Sequence, residues 1–188
     1  MNLPNKLTIL RLLMIPIFAV VFYLSIIPYN FVISAVIFVI AALTDFLDGY
    51  IARKHNLVTD LGKFLDPIAD KVLVSTALII MLLPYGGAVI LPFYAGIAVA
   101  VILARELIVS GFRIIAASKG KVLAADKLGK IKTFLQDVAI VILLVSANVD
   151  PGLYSVLNIV GLIMLGLATL LTIISGTECI VKNREILK

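Results

Sequence analysis

The chain has 188 residues, 62% of them hydrophobic and only 14% charged, with a formal net charge of +5 and a mean hydropathy of +1.18. Soluble domains carry about 25% charged residues, so the composition excludes a water-soluble globule and implies an integral membrane protein, read as one domain over residues 1–188. Nucleic acid is a poor partner for a chain with almost no soluble region, and the lone Cys179 excludes a disulfide framework or a thiol metal cluster.

Residues 1–8 read as a short N-terminal interfacial segment, in which Pro4 can open a helix because the first turn leaves its amide position unpaired anyway. Lys6 and Arg11 lead into a first apolar run, about residues 9–28, that lacks a small-residue cleavage site and so reads as a retained span. Further runs follow at about 31–53, 61–83, 88–117, 127–148 and 153–181. Each is near the ~20 residues needed to cross a bilayer. The expectation is an all-α bundle of six transmembrane helices.

Basic residues orient it. The turns at 28–30, 84–87 and 148–152 hold none of the 16 Lys and Arg residues, which all lie at the termini, in the 53–71 and 119–132 turns, or on the inner half of the fourth run. That bias predicts both termini in the cytoplasm and a positive face suited to anionic lipid head groups and phosphorylated substrates. No internal repeat supports a transporter architecture. Small residues in the fourth run (Ala95, Gly96, Ala98, Ala100) and the last (Gly161, Gly166, Ala168) allow close helix packing, within the bundle by default or at a dimer interface.

The second run ends with Asp45 and Asp48, three residues apart on one helical face, continued by Gly49 and Ala52 and closed by Arg53. The third opens with Gly62, Asp66 and Asp70, spaced by four. A short turn makes these helices antiparallel neighbours, with both acidic stripes at one cytoplasmic depth. An acid at mid-bilayer costs about 2.5–3.5 kcal/mol on insertion scales, and close carboxylates repel. Two hard divalent cations balance four carboxylates. Oxygen-only donors favour magnesium, manganese or calcium over zinc, and magnesium keeps positions open for substrate phosphates. The plainer reading pairs the aspartates with Arg53, Lys63 and Lys71 as interfacial ion pairs. A third treats the acids as the pathway of a divalent-cation transporter, but no acid lies in the outer half of any predicted span. A fourth, a non-catalytic lipid-binding scaffold, leaves the metal-ligand positions without explanation.

On these residues the sequence resembles the CDP-alcohol phosphatidyltransferases. Asp45-x2-Asp48-Gly49-x2-Ala52-Arg53-x8-Gly62-x3-Asp66-x3-Asp70 matches that family's signature without gap or substitution. The resemblance implies that Asp45, Asp48, Asp66 and Asp70 bind two divalent cations, magnesium first and manganese second, with Asp70 also the general base on the acceptor hydroxyl. It implies that Asp48, Gly49, Ala52, Arg53 and Gly62 meet the cytidine diphosphate, assisted by Thr59, and that CMP leaves when the hydroxyl attacks. A homodimer is implied in the same way.

The acceptor is read from other positives. Arg105 and Arg113 lie eight apart on the fourth helix, and Glu106 either orients Arg105 or neutralises it. Gly129-Lys130-Ile131-Lys132-Thr133 opens the fifth helix, where amides and two lysines can hold phosphate. Lys119, Lys121 and Lys127 read as ordinary positive-inside charges. With residues 2–11, these segments look like the branch of the family that transfers the phosphatidyl group of CDP-diacylglycerol to sn-glycerol 3-phosphate, making phosphatidylglycerophosphate. That dianion suits Arg105, Arg113, Lys130 and Lys132. Inositol phosphate and phosphatidylglycerol remain neighbouring acceptors. His55 reads as a solvated turn residue and Cys179 as structural, while Gln136 and Asp137 stay undecided between packing and site.

Overall fold

The computed structural model describes residues 3–54, 60–84, 89–120 and 127–187, with side chains described over the same residues except 3–5, 45–67 and 187. Among the described residues the chain is all-helical. It comprises α1 (Leu3–Tyr23), α2 (Asn30–Lys54), α3 (Asp60–Leu82), α4 (Ala95–Ser118), α5 (Lys127–Ser146) and α6 (Pro151–Lys182), closed by a 3₁₀ turn over Arg184–Leu187.

The N-terminal segment expected to stand apart is continuous with α1, because Pro4 falls in the first turn, where a missing amide hydrogen costs nothing. At its other end α1 stops at Tyr23, although a mainly apolar stretch, broken by Ser25, runs on to Ile27. Pro28 biases its predecessor away from helical geometry, and Tyr29 takes a left-handed φ of 58°. The fourth helix begins at Ala95 rather than near 88, because Pro92 breaks an apolar run whose hydropathy cannot distinguish coil from helix.

α1 packs against α2 and α3, α5 against α2 and α6, and α4 against α6 and α3, with α2 also touching α3. Phe18, Phe38, Leu73, Leu78, Met81, Ile102, Ile140 and Leu143 form the centre of the core, each almost fully buried. The outer surface is equally apolar: Leu13, Ile17, Val20, Ile97, Leu107, Ile163 and Leu170 are exposed. Apolar inside and apolar outside is the pattern of a protein whose solvent is lipid. Three described helices, Lys6–Tyr23, Ala95–Ser118 and Pro151–Lys182, are long and apolar enough to cross a membrane. α2 qualifies only over Asn30–Thr44, as a shorter apolar helix. Acids and lysines interrupt α3 and α5. This is a membrane protein.

Helix ends in such a setting need internal partners. Asn148, in the α5–α6 turn, accepts hydrogen bonds through Oδ1 from the backbone amides of Phe31 (3.0 Å) and Val32 (3.2 Å), capping α2. Asn30 Nδ2 returns one to the Phe22 carbonyl at 2.7 Å. α6 approaches α5 through Gly161, where a Cβ would stand 2.6 Å from Leu143 Cγ. A Cβ on Gly166 would meet nothing within 4 Å, so only Gly161 of these two is needed for packing. Cys179 packs against a small cluster of Phe112, Ala116 and Ile186, in keeping with its structural reading.

Candidate active site

Three helices converge on a small cavity of about 20 Å³ lined by Asp70, Lys71, Val74 and Ser75 of α3, Ile102, Leu103 and Glu106 of α4, and Lys132, Thr133 and Gln136 of α5. Glu106 is its hub. The carboxylate Oε1 accepts from Lys132 Nζ at 2.6 Å and from Arg105 Nη1 at 3.0 Å. Lys132 is only 3% exposed, so its ammonium is desolvated and needs this partner. Arg105 reaches across to α6, donating through Nη2 to Ser175 Oγ at 2.9 Å. Gly176 makes that crossing feasible, since a Cβ there would stand 2.9 Å from Arg105 Cγ. Lys71 Nζ donates to Ser110 Oγ, which donates to the Glu106 carbonyl.

Glu106 therefore does both things open to it: it fixes Arg105 and it neutralises one cation. Of the five described charged groups, Lys71, Arg105 and Lys132 outnumber Asp70 and Glu106 by one. The surplus is positive, and suits an anion.

The acceptor residues expected from sequence do not all meet. Lys132 lines the cavity and Arg105 joins it through Glu106. Lys130 is exposed, because two residues on a helix are about 200° apart and α5 runs unbroken through both lysines. Arg113 is also exposed, though within electrostatic reach of Lys71. Lys71 is read from sequence only as an ion-pair partner and Gln136 stays undecided there between packing and site, yet both line the cavity. Lys71 had a signal, its place beside Asp70. Gln136 had one too, lying four residues after Lys132 on the same face.

Asp45, Asp48, Gly49, Ala52 and Arg53 lie in α2, and Gly62 and Asp66 in α3, with side chains outside the described residues. Thr59 and His55 lie outside them altogether. Helical backbone is continuous through both acidic pairs, so the three- and four-residue spacings survive, and α2 touches α3. Among the described residues no group of three acids, His or Cys is gathered, since Asp70 alone of the four aspartates has a described side chain. The donor set is carboxylate oxygen from two contacting helices. That chemistry fits hard divalent cations.

Sequence reasoning also passed over the position of Arg11. It is fully buried and donates through Nε to the Ala41 carbonyl at 3.2 Å, one helical turn before Asp45. Thr44 Oγ1 donates to the same carbonyl at 2.6 Å.

A helical membrane bundle with an acidic two-helix motif leading into a cationic cavity defines a class, and the comparisons agree on it: the chain belongs to the CDP-alcohol phosphatidyltransferase family, whose profile matches residues 1–174. Among its relatives is a Bacillus subtilis (strain 168) protein named CDP-diacylglycerol–glycerol-3-phosphate 3-phosphatidyltransferase, 42% identical over 198 residues and covering 100% of this chain and 97% of that one. Proteins of the same name from Rickettsia bellii (46% identical, covering 93% of this chain and 91% of that one) and Salmonella typhimurium (41%, covering 79% of each) are similar.

Proposed function

We propose that the chain transfers the phosphatidyl group of CDP-diacylglycerol to sn-glycerol 3-phosphate, releasing CMP and forming phosphatidylglycerophosphate. The observation that carries this reading is that Asp70 shares one buried cavity with Lys71 and Lys132, a carboxylate beside cations that suit a phosphorylated alcohol. The relatives' shared name supports the choice of substrates.

Asp70 takes the proton of the acceptor hydroxyl, whose oxygen bonds to the phosphorus carrying diacylglycerol as the phosphorus–oxygen bond to CMP breaks. Asp45, Asp48, Asp66 and Asp70 are the residues that would hold two divalent cations, magnesium in preference to manganese. When bound, such ions supply charge neutralisation for the pyrophosphate. Asp48, Gly49, Ala52, Arg53, Thr59 and Gly62 hold the cytidine diphosphate. Lys132 and Arg105 hold the acceptor phosphate, with Arg113 and Lys130 contributing positive potential from the surface rather than contacts.

The whole chain works as a single domain. Six helices span the cytoplasmic membrane with both termini and the site on the cytoplasmic side, where the basic residues collect, and the protein is a homodimer. Purified protein with magnesium is expected to release CMP only when both substrates are present. CMP release without glycerol 3-phosphate, or undiminished release by Asp70→Asn, refutes the reading.

A further inference from the structure

Gln136 is 2% exposed, and its Oε1 is buried without a hydrogen-bond partner. A buried, unpartnered amide oxygen costs about 1–3 kcal/mol, and a Leu or Met would fill the same space on α5 without that cost. Asp70 lines the same cavity as Gln136. The described donors nearby bond to other atoms: Lys132 Nζ to Glu106, Lys71 Nζ to Ser110 and Thr133 Oγ1 to the Gly129 carbonyl. No described group donates to Gln136 Oε1, which leaves it open to a ligand.

Size narrows the ligand group. About 20 Å³ exceeds the ~10–15 Å³ that one water requires, so the cavity has room for a hydroxyl beside Gln136. A hydroxyl both donates and accepts, so it satisfies the amide in either orientation, and it takes over the bonds of any water it displaces.

We infer that Gln136 is a specificity-determining residue that binds the non-attacking hydroxyl of a vicinal-diol phosphate, while the attacking hydroxyl sits at Asp70. This rests on the acceptor proposed above and adds to it a reason for preferring a diol.

The test compares sn-glycerol 3-phosphate with 3-hydroxypropyl phosphate, which keeps the primary hydroxyl and the phosphate but lacks the second hydroxyl. Wild-type protein is expected to favour the diol by about tenfold or more in kcat/KM, the scale of a lost hydrogen bond that leaves a buried partner unpaired. Gln136→Leu should use both acceptors within about twofold of each other, by losing rate on the diol alone. Gln136→Glu keeps an acceptor oxygen at the same reach and should keep the preference, so it serves equally if Gln136→Leu does not fold. A preference retained in Gln136→Leu, an equal loss on both acceptors, or a preference abolished in Gln136→Glu overturns the assignment. Turnover of neither acceptor by wild-type protein is a separate result, which refutes the acceptor class and this inference with it.

Discussion

Gly176→Ala isolates the role of Arg105 without replacing it. The added Cβ would stand 2.9 Å from Arg105 Cγ and 3.1 Å from Nε. Cγ is near the root of the side chain, so the arginine cannot yield by moving its tip alone. Its shift strains the bonds to Ser175 at 2.9 Å and Glu106 at 3.0 Å. Replacing Gly by Ala inside a helix gains about 0.5–1 kcal/mol, and overpacking costs about 1–3 kcal/mol, so net stability should fall by at most about 2.5 kcal/mol. The acceptor site loses more. Forfeiting one charged hydrogen bond is worth about 1.5–3 kcal/mol, which at 1.4 kcal/mol per tenfold raises KM for glycerol 3-phosphate by about 10- to 150-fold. KM for CDP-diacylglycerol should stay put. Steady-state CMP release in mixed micelles, alongside thermal unfolding in detergent, reads both quantities. Gly166→Ala is the control, since its Cβ meets nothing within 4 Å, and it should gain the helix term with wild-type kinetics. An unchanged KM for glycerol 3-phosphate in Gly176→Ala refutes the reasoning.

Lys132→Met should raise KM for glycerol 3-phosphate by about tenfold or more while leaving KM for CDP-diacylglycerol unchanged, because it removes a charged donor of about 1.5–3 kcal/mol; equal effects on both substrates contradict a phosphate role. Arg11→Met should lower the thermal midpoint in detergent by several degrees through loss of its bond to the Ala41 carbonyl, and an unchanged midpoint makes that buried contact energetically idle. Chelation of divalent cations should abolish CMP release, with magnesium or manganese restoring it; persistent activity in chelator argues against the carboxylate metal site.

The helices were largely legible because lipid imposes one rule on every run. The expected spans at 31–53, 61–83 and 127–148 differ from α2, α3 and α5 by at most two residues at each end. Errors arose where hydropathy and helicity part company: at Leu24–Ile27, apolar but ahead of Pro28, and before Ala95, apolar but broken by Pro92. The acidic motif was legible as a pattern because its four aspartates sit within 26 residues of one helix pair. The cationic end was legible only in part. Glu106 meets Lys132 across 26 residues and Arg105 meets Ser175 across 70, and no local spacing states how two helices are rotated against each other. Lys130 and Lys132 were distinguishable by helical angle alone, and α5 separates them accordingly.

The described groups around the cavity divide between helices. Asp70, the proposed proton acceptor, belongs to α3, whereas Arg105 and Glu106 come from α4, Lys132 and Gln136 from α5, and Ser175 and Gly176 from α6. Under the proposed mechanism, donor chemistry and acceptor choice are carried on separable parts of one polypeptide. Changing a few inward side chains on α4 to α6 offers a route to retargeting the reaction to other phosphorylated alcohols, with the α2–α3 motif left as it stands. The bundle then becomes a starting scaffold for writing new head groups onto membrane lipids.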